Sequence, residues 1–304
     1  MFTNQVRNTN TETTWNPFIL GFFGLCFLGI LLYYALSAPH VNVNDASIHI
    51  HKNETISEIA DDLVTHHIVR HGSVVKFLIH FLSPHAKIAR GDYRFEKGTT
   101  ALGVAWQIAY AEHKVNPIRV TLKEGSTNTD IADTLSVQLS GFRRDLFQEE
   151  TAAKQGYLFP DTYFFYPMVT AEEIVSDLSL NFTKKTASIL DDVSSSERSF
   201  HDVVIMASLI EKEARGKDDA PTIAGILWKR FDKGMLLQVD AYRLTYTTKG
   251  LPLEPINNPG LVALDAAAHP VESPYLFYLH DKNGMVHYAR DFTEHKKNIA
   301  RYLR

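Results

Sequence analysis

The sequence contains two copies of one short pattern, and this repeat limits what the chain can fold into. Residues 48–63 align without a gap on residues 120–135. In each copy, alternating apolar residues suited to a strand precede a polar turn and then Thr-x-x-Glu or Thr-x-x-Asp, which is typical of a helix N-terminus. The apolar positions that follow recur four residues apart, at Ile59 and Leu63 in one copy. The sequence therefore predicts two strand–turn–helix units within an α+β chain.

The first copy carries a more specific pattern. It runs Ile-x-Ile-x-Lys-x-Glu-Thr-Ile-x-x-Ile-Ala from Ile48, and it resembles the first half of a LysM module, a small unit that binds polymers containing N-acetylglucosamine. The alternative is a strand–helix scaffold that binds nothing. Residues 90–95 predict a further strand, and residues 100–113 predict a further helix that would complete this first subdomain.

An apolar stretch lies near the N-terminus. Residues 18–38 contain no charged side chain, which matches the roughly 20 residues needed to cross a bilayer. A cleavable signal peptide is the alternative, since Ala35 and Ser37 could form a cleavage site, but its apolar region would be only about 7–15 residues long. Arg7 is the only basic residue before the stretch, and the first basic residue after it is Lys52. Because positive charge is enriched on the cytoplasmic side of a membrane helix, this difference favours a cytoplasmic N-terminus. We predict an uncleaved transmembrane helix.

Composition argues against several classes of function. A net charge of −4 and a pI near 6.4 argue against a basic surface for nucleic acid. Cys26 is the sole cysteine, so neither an intramolecular disulfide nor a cysteine-based metal site is expected. The chain has 14 histidines, including the pair His67 and His71, yet it lacks His-Glu-x-x-His. We therefore expect no metal.

The apolar run at 201–216 ends in two glutamates that flank a lysine. At about 100° per residue, Glu211 projects between apolar positions of the predicted helix. Such partial desolvation raises the pKa of a carboxyl group, which suits a general acid. The alternative is that both glutamates only solubilise a helix end. Glu213 stands four residues before Lys217, the favourable order for an ion pair along a helix.

The C-terminal part predicts further short elements. A second helix should begin after Asp219 as its N-cap and stop at Gly234. A short helix is expected near residues 261–269, followed by a strand pair around the Asn283-Gly284 turn.

Several motifs then follow one another in a fixed order. They are Gly-Tyr-Leu-Phe-Pro-Asp-Thr-Tyr (156–163), Ala-Ser-Leu-Ile-Glu-Lys-Glu (207–213), Leu-Gln-Val-Asp (237–240), Gly-Leu-Pro (250–252), Ile-Asn-Asn-Pro-Gly (256–260), Ala-Ala-His-Pro (267–270) and Tyr-Leu-Phe-Tyr (275–278). With the apolar stretch and the LysM-like unit before them, they resemble the YceG-like family over nearly all of the chain from residue 18.

The resemblance implies cleavage of the β-1,4 bond between N-acetylmuramic acid and N-acetylglucosamine in nascent peptidoglycan strands, without added water and without a cofactor. Glu211 matches the family's catalytic glutamate, which acts as general acid and then as general base to give a 1,6-anhydro end. No second carboxylate at a fixed distance is then required, in contrast to ordinary glycosidases. Tyr163, Gln238, Asp240 and Asn258 match motif positions and are candidates for substrate binding, although each could equally be a structural hydrogen-bonding residue.

The resemblance also implies a bacterial cytoplasmic (inner) membrane location with the catalytic part outside the cytoplasm, and the anchor suggests a partnership with peptidoglycan synthases. A non-catalytic, membrane-anchored peptidoglycan-binding scaffold is the alternative function. Two departures from the family pattern occur, at Gln155, where glutamate is common, and in the short segment 240–250. The predicted divisions are a cytoplasmic tail at 1–17, a transmembrane helix at 18–38, a linker at 39–45, a LysM-like subdomain with its extension at 46–115 and a catalytic domain at 116–304.

Overall fold

The computed structural model describes residues 17–37, 46–84, 87–214 and 216–303. The chain divides into two compact units, Met1–Val115 and Asn116–Arg304. The predicted linker at 39–45 and nearly all of the predicted cytoplasmic tail lie outside the described residues. Both units combine helices with short antiparallel strand pairs, so the prediction of a mixed α+β fold is confirmed.

The first unit is built on one antiparallel strand pair. Its elements are α1 (Pro17–Leu36), β1 (Ala46–Ile50), α2 (Ile56–Thr65), α3 (Gly72–Leu82), β2 (Gly91–Phe95) and α4 (Ala101–Ala109). In the strand pair, Ile48 of β1 lies opposite Tyr93 of β2, and both side chains are buried. The core that they share includes Ile59 and Leu63 of α2. The helix predicted at 100–113 is present but ends at Ala109.

Helix α1 has 20 residues and carries no charged side chain. The large apolar side chains that are described on it, such as Phe22, Leu25 and Phe27, are exposed. Over the residues that the structure describes, no helix is both long and apolar enough to cross a membrane. The predicted transmembrane segment therefore stays a prediction.

The second unit contains two antiparallel strand pairs and a cluster of helices. Its elements are β3 (Ile118–Thr121), α5 (Asn128–Gln138), α6 (Arg144–Glu150), β4 (Thr162–Phe165), α7 (Ala171–Lys185), α8 (Ala187–Ser194), α9 (Phe200–Glu213), α10 (Ala220–Asp232), a 3₁₀ turn (Arg243–Tyr246), α11 (Leu261–Ala268), β5 (Phe277–His280), β6 (Val286–Ala289) and α12 (Phe292–Tyr302). Strand β3 pairs with β4, and β5 pairs with β6. The predicted short helix and the predicted strand pair near the C-terminus are confirmed as α11 and β5–β6.

The predicted internal repeat is confirmed. Thr55 and Thr127 occupy equivalent positions and cap α2 and α5. Each threonine side chain accepts the backbone N–H three residues on, from Glu58 or Asp130, whose carboxylate accepts the backbone N–H of the threonine in return. This reciprocal capping box satisfies donors that the helix itself leaves unpaired. In both units the chain then runs strand, helix, helix, strand, with the two strands antiparallel.

Helix α9 is the most deeply buried element of the second unit. Every side chain from Val203 to Ile210 is buried, and α8, α10 and α11 pack around it. Ser199 caps its N-terminus by accepting the N–H of Asp202. The helix ends at Glu213, because Ala214 turns to an extended conformation with φ −73° and ψ 140°. The prediction of a buried helix with carboxylates at its exit is confirmed.

Asp219 precedes α10, as predicted, but its side chain does not cap that helix. One carboxylate oxygen instead accepts the N–H of Gly216 at 3.1 Å, and the other lies 3.2 Å from Nε2 of His280. This aspartate therefore ties the turn before α10 to strand β5.

We expect Thr127→Ala to lower the free energy of unfolding of the second unit by about 1 kcal/mol, because the capping oxygen of α5 is lost. The measurement is urea denaturation of the full chain, followed by tryptophan fluorescence, to which Trp228 of the second unit contributes. Thr129→Ala is the matched control, since Thr129 is exposed in the first turn of the same helix, and its effect should stay within about 0.5 kcal/mol. Equal losses for the two variants would contradict a specific capping role.

Candidate active site

Glu211 lies in the last turn of α9, with its side chain half-buried. Its Oε2 atom accepts the backbone N–H of Gly260 at 2.9 Å. Burial raises the pKa of the carboxyl group and the charge of Glu124 adds to the rise, whereas the Gly260 N–H and the ammonium group of Lys212 oppose it. The predicted rise in the pKa of Glu211 is thus confirmed. A carboxyl group in this environment keeps its proton to higher pH than an exposed glutamate does.

Two glycines allow backbone to approach Glu211 closely. Gly260 precedes α11, and a β-carbon at this position would overlap the carboxyl group of Glu124. Gly125 has φ +72°, and a β-carbon there would lie 3.2 Å from Cγ of Glu211. Residues other than glycine rarely adopt such a positive φ. Three segments, the β3–α5 turn, the end of α9 and the start of α11, therefore converge on one carboxyl group.

Glu213 does not pair with Lys217, so the predicted ion pair along the helix is wrong. The helix stops at Glu213, which removes Lys217 from the same helical face. The carboxylate of Glu213 instead accepts the hydroxyl of Tyr278 at 2.9 Å and the backbone N–H of Asp240 at 3.0 Å. The pKa of Glu213 is raised above its ordinary value because the carboxyl group is buried, and the two hydrogen bonds offset part of this rise.

Two cavities of about 550 Å³ each open near the end of α9. The first, which we call the aromatic cavity, is lined by Lys212, Glu213, Arg230, Gln238, Asp240, Ala241, Tyr246, Phe277, Tyr278, Leu279, His280, Phe292, His295, Ile299 and Leu303. The second, the polar cavity, is lined by Thr121, Lys123, Glu124, Gly125, Ser126, Asp130, Asp133, Thr134, Gln138 and Lys212. Lys212, which stands between Glu211 and Glu213 in the sequence, lines both cavities.

Gln238 and Asp240, two of the residues predicted to bind substrate, line the aromatic cavity and are exposed. Gln238 has φ 53°, a left-handed conformation that is uncommon outside glycine and often marks functional sites. Asp240 accepts a hydrogen bond from the hydroxyl of Tyr246. Both side chains can therefore reach a molecule bound in this cavity.

Asn258 lies elsewhere and is fully buried. Its Oδ1 atom accepts the N–H groups of Gly156 at 2.9 Å and Leu158 at 3.0 Å. Its Nδ2 atom donates to the carbonyl of Ser126 at 3.0 Å and to Oδ1 of Asn128 at 2.9 Å. The amide thus has its full set of partners within the protein. The structure favours the structural alternative for Asn258.

Tyr163 is also engaged inside the protein. Its hydroxyl donates to the carbonyl of Phe159 at 2.6 Å and accepts from Nδ2 of Asn181 at 3.0 Å. Burial raises the pKa of Tyr163 to about 12. These contacts favour a structural role for Tyr163 as well.

Gln155, which departs from the family pattern, keeps a hydrogen-bonding role. Its Oε1 atom accepts the N–H of Asn128 at 3.1 Å, and its Nε2 atom donates to the carbonyl of Pro255 at 3.2 Å. A neutral amide can make both contacts, whereas a carboxylate could only accept.

Two further residues of this region, Arg230 and Glu124, were not predicted from the sequence. The guanidinium group of Arg230 is buried and donates to the carbonyls of Leu276 and Leu237, each at 2.7 Å, which fixes the segment that carries Gln238. An arginine within an apolar stretch of a helix was the available signal. For Glu124, the signal was its place directly after the strand of the second repeat copy.

Comparison with known proteins gives a consistent result. The sequence profile of the YceG-like family matches residues 48–243 and 244–301. An endolytic murein transglycosylase of Bacillus subtilis is 31% identical over 172 residues, which cover 49% of this chain and 48% of the relative. An endolytic murein transglycosylase of Streptococcus pneumoniae is 23% identical over an alignment 349 positions long, which covers 93% of this chain and 62% of the relative.

The chain thus spans less than two thirds of the length of these relatives. The crystal structure of a YceG-like protein from Listeria monocytogenes superposes with a TM-score of 0.55 and 24% identity, covering 84% of this chain and 99% of that one. This likeness shows a shared fold. Because the family profile covers most of the sequence, including every motif from residue 156 to residue 278, the chain belongs to the YceG-like family.

Proposed function

We propose that the chain is an endolytic peptidoglycan lytic transglycosylase in which Glu211 is the general acid and then the general base. The carboxyl group of Glu211 donates its proton to the glycosidic oxygen as the bond from that oxygen to C1 of N-acetylmuramic acid breaks. The resulting carboxylate takes the proton of the C6 hydroxyl while O6 bonds to C1. The products are a free N-acetylglucosamine hydroxyl and a 1,6-anhydro end, and no water is consumed.

The observation that carries the proposal is the environment of Glu211. Burial favours the protonated carboxyl group before the reaction, and the N–H of Gly260 stabilises the carboxylate that proton donation leaves. Burial and the Gly260 N–H therefore act on the protonation of Glu211 in opposite directions. One residue can then serve as acid and as base in consecutive steps, using protein side chains alone.

The aromatic cavity supports a saccharide as substrate. Aromatic side chains, among them Tyr246 and Phe277, stand beside the exposed polar groups of Gln238 and Asp240. Aromatic faces with nearby amide and carboxylate groups suit sugar rings, which have apolar faces and hydroxyl edges. We propose that Gln238 and Asp240 bind sugar hydroxyl or acetamido groups. We assign structural roles to Tyr163 and Asn258.

The alternative function is a non-catalytic peptidoglycan-binding scaffold. It rests on the LysM-like pattern of the first repeat copy, whose strand–helix–helix–strand unit is complete by itself. In that case Glu211 would be idle, and the loss of its carboxyl group would change nothing.

We also propose that α1 anchors the chain in the bacterial cytoplasmic membrane, with the catalytic unit outside the cytoplasm. The helix has 20 residues without a charge and exposes large apolar side chains along its length, as expected of a segment surrounded by lipid. An anchor of this kind would hold the enzyme near newly made strands, where peptidoglycan synthases work. Failure to co-purify with any synthase would contradict that partnership.

We expect Glu211→Gln to lower cleavage of uncrosslinked glycan strands by about 10²-fold or more, because the amide cannot transfer a proton. The full chain in detergent is incubated with the strands, and products are identified by mass. Wild-type products should be one water lighter than hydrolytic products. Glu272→Gln, at an exposed position of a loop, is the matched control and should cleave normally. Hydrolytic ends would keep the substrate but replace the mechanism, and cleavage independent of Glu211 would favour the scaffold.

We expect Gln238→Ala to weaken substrate binding and Asn258→Ala to weaken the stability of the fold. Gln238→Ala should raise KM several-fold without changing the melting temperature, since its exposed side chain faces the cavity. Asn258→Ala should lower the free energy of unfolding by about 3 kcal/mol, because the buried N–H groups of Gly156 and Leu158 lose their acceptor. Steady-state kinetics and thermal denaturation separate the two effects. A stable Asn258→Ala protein with a raised KM would instead indicate direct substrate binding.

We expect the full chain to stay in the membrane fraction through high-salt and alkaline washes and to be released by detergent. The double substitution Phe27→Lys and Leu28→Lys in α1 should release it, since each lysine at the middle of a span costs roughly 3 kcal/mol. Lysine substitution of Phe77 and Phe81, which are exposed apolar residues of α3, is the control. Release of the wild-type chain by the alkaline wash would contradict the anchor.

A further inference from the structure

Glu124 lies in the turn between β3 and α5, on the wall of the polar cavity. Its carboxyl group packs against Gly260, where a β-carbon would overlap it. Gly260 is also the residue whose N–H binds Oε2 of Glu211 at 2.9 Å. Two carboxyl groups from different segments therefore lie against the same backbone position.

The turn that carries Glu124 is held firmly in place. The N–H of Gly125 donates to the carbonyl of Asn258 at 2.9 Å, and the N–H of Asn258 donates to the carbonyl of Ser126 at 2.9 Å. These bonds form an antiparallel bridge between the turn and the segment that leads into Gly260. The approach of Glu124 to Gly260 is thus set by backbone hydrogen bonds close to both residues.

Comparison of the two repeat copies shows what is particular to this turn. Lys52 and Asn53 of the first copy align with Glu124 and Gly125 of the second. Asn53 and Gly125 share a left-handed conformation, with φ 66° and 72°, so the two turns have similar backbones at this position. The second copy differs in having the opposite charge and in lacking a side chain that would press on Glu211. Both differences fall where the turn meets the end of α9.

We propose that Glu124 is a positioning residue for Glu211. The carboxylate of Glu124, held against Gly260, favours the neutral and proton-donating form of Glu211. The inference rests on the proposed function, since it concerns the acid of that reaction. The charged groups that act on Glu211 are Glu124 from the β3–α5 turn and Lys212 from α9 itself, and the uncharged N–H of Gly260, just before α11, also acts on it. Glu124 opposes the other two, which favour the carboxylate.

The same charge assists both halves of the proposed reaction. Before bond cleavage, Glu124 keeps the proton on Glu211 in spite of the adjacent Lys212. After cleavage, the repulsion between two neighbouring carboxylates increases the affinity of Glu211 for the proton of the C6 hydroxyl. Lysine at this position, as in the first repeat copy, would act in the opposite direction.

The test is the pH dependence of kcat/KM for the full chain, with uncrosslinked glycan strands as substrate. Activity that requires protonated Glu211 is lost as the pH rises through its pKa. Glu124→Gln should move this loss to lower pH by about one unit, and Glu124→Lys should move it further. Glu124→Asp keeps the charge and should stay near the wild-type profile, and Glu272→Gln should not shift it. Either charge-changing variant suffices if the other does not fold.

A second readout needs no activity. A carboxyl group whose pKa is raised by folding contributes stability that is present below the unfolded-state value, near 4.5, and is lost as the pH rises through the folded-state pKa. Glu124→Gln should make the fall in melting temperature above pH 4.5 shallower, and this effect should vanish when Glu211→Gln is also present. If the wild type cleaves nothing, the proposed function fails and this readout decides the inference alone. Unchanged pH profiles and unchanged melting behaviour in Glu124→Gln would overturn it.

Discussion

The amide of Asn258 makes the hydrogen bonds on which the second unit depends. It joins three segments that are far apart in the sequence, accepting from the N–H groups of Gly156 and Leu158 and donating toward the β3–α5 turn. Only a group with two donors and a two-fold acceptor can make all these bonds, so aspartate and leucine, although similar in size, cannot replace it. Because Gly260 follows two residues later, the position of the N–H that binds Glu211 follows from the burial of this one side chain.

Two carboxylates, those of Glu211 and Glu213, lie at the C-terminal end of α9, where negative charge is least favourable. The C-terminus of a helix carries partial negative charge, which adds to the effect of burial on Glu211 and Glu213. Each carboxylate is compensated by one backbone N–H from another segment, that of Gly260 or that of Asp240. Lys212, between the two glutamates in the sequence, lines both cavities. Glu213 holds the wall of the aromatic cavity through Tyr278 and Asp240, and Glu211 is the glutamate to which we assign the proposed chemistry.

Local patterns in the sequence predicted local structure well. The capping boxes, the buried helix that carries Glu211 in its last turn and the C-terminal strand pair depend on residues within a few positions of one another. The partner of Glu213 was predicted wrongly, because periodicity cannot show where a helix stops. The places of Asn258 and Glu124 were not predictable either, since their contacts join residues that are 100 or more positions apart in the sequence. Motif resemblance identified Asn258 as special without showing that it is enclosed in the fold.

The duplicated unit separates the requirements of folding from those of function. Each copy provides its own cap and its own strand partner, and the backbone turn of the second copy is held by Asn258. One copy can therefore change its tip to serve a reaction while the other retains a different one.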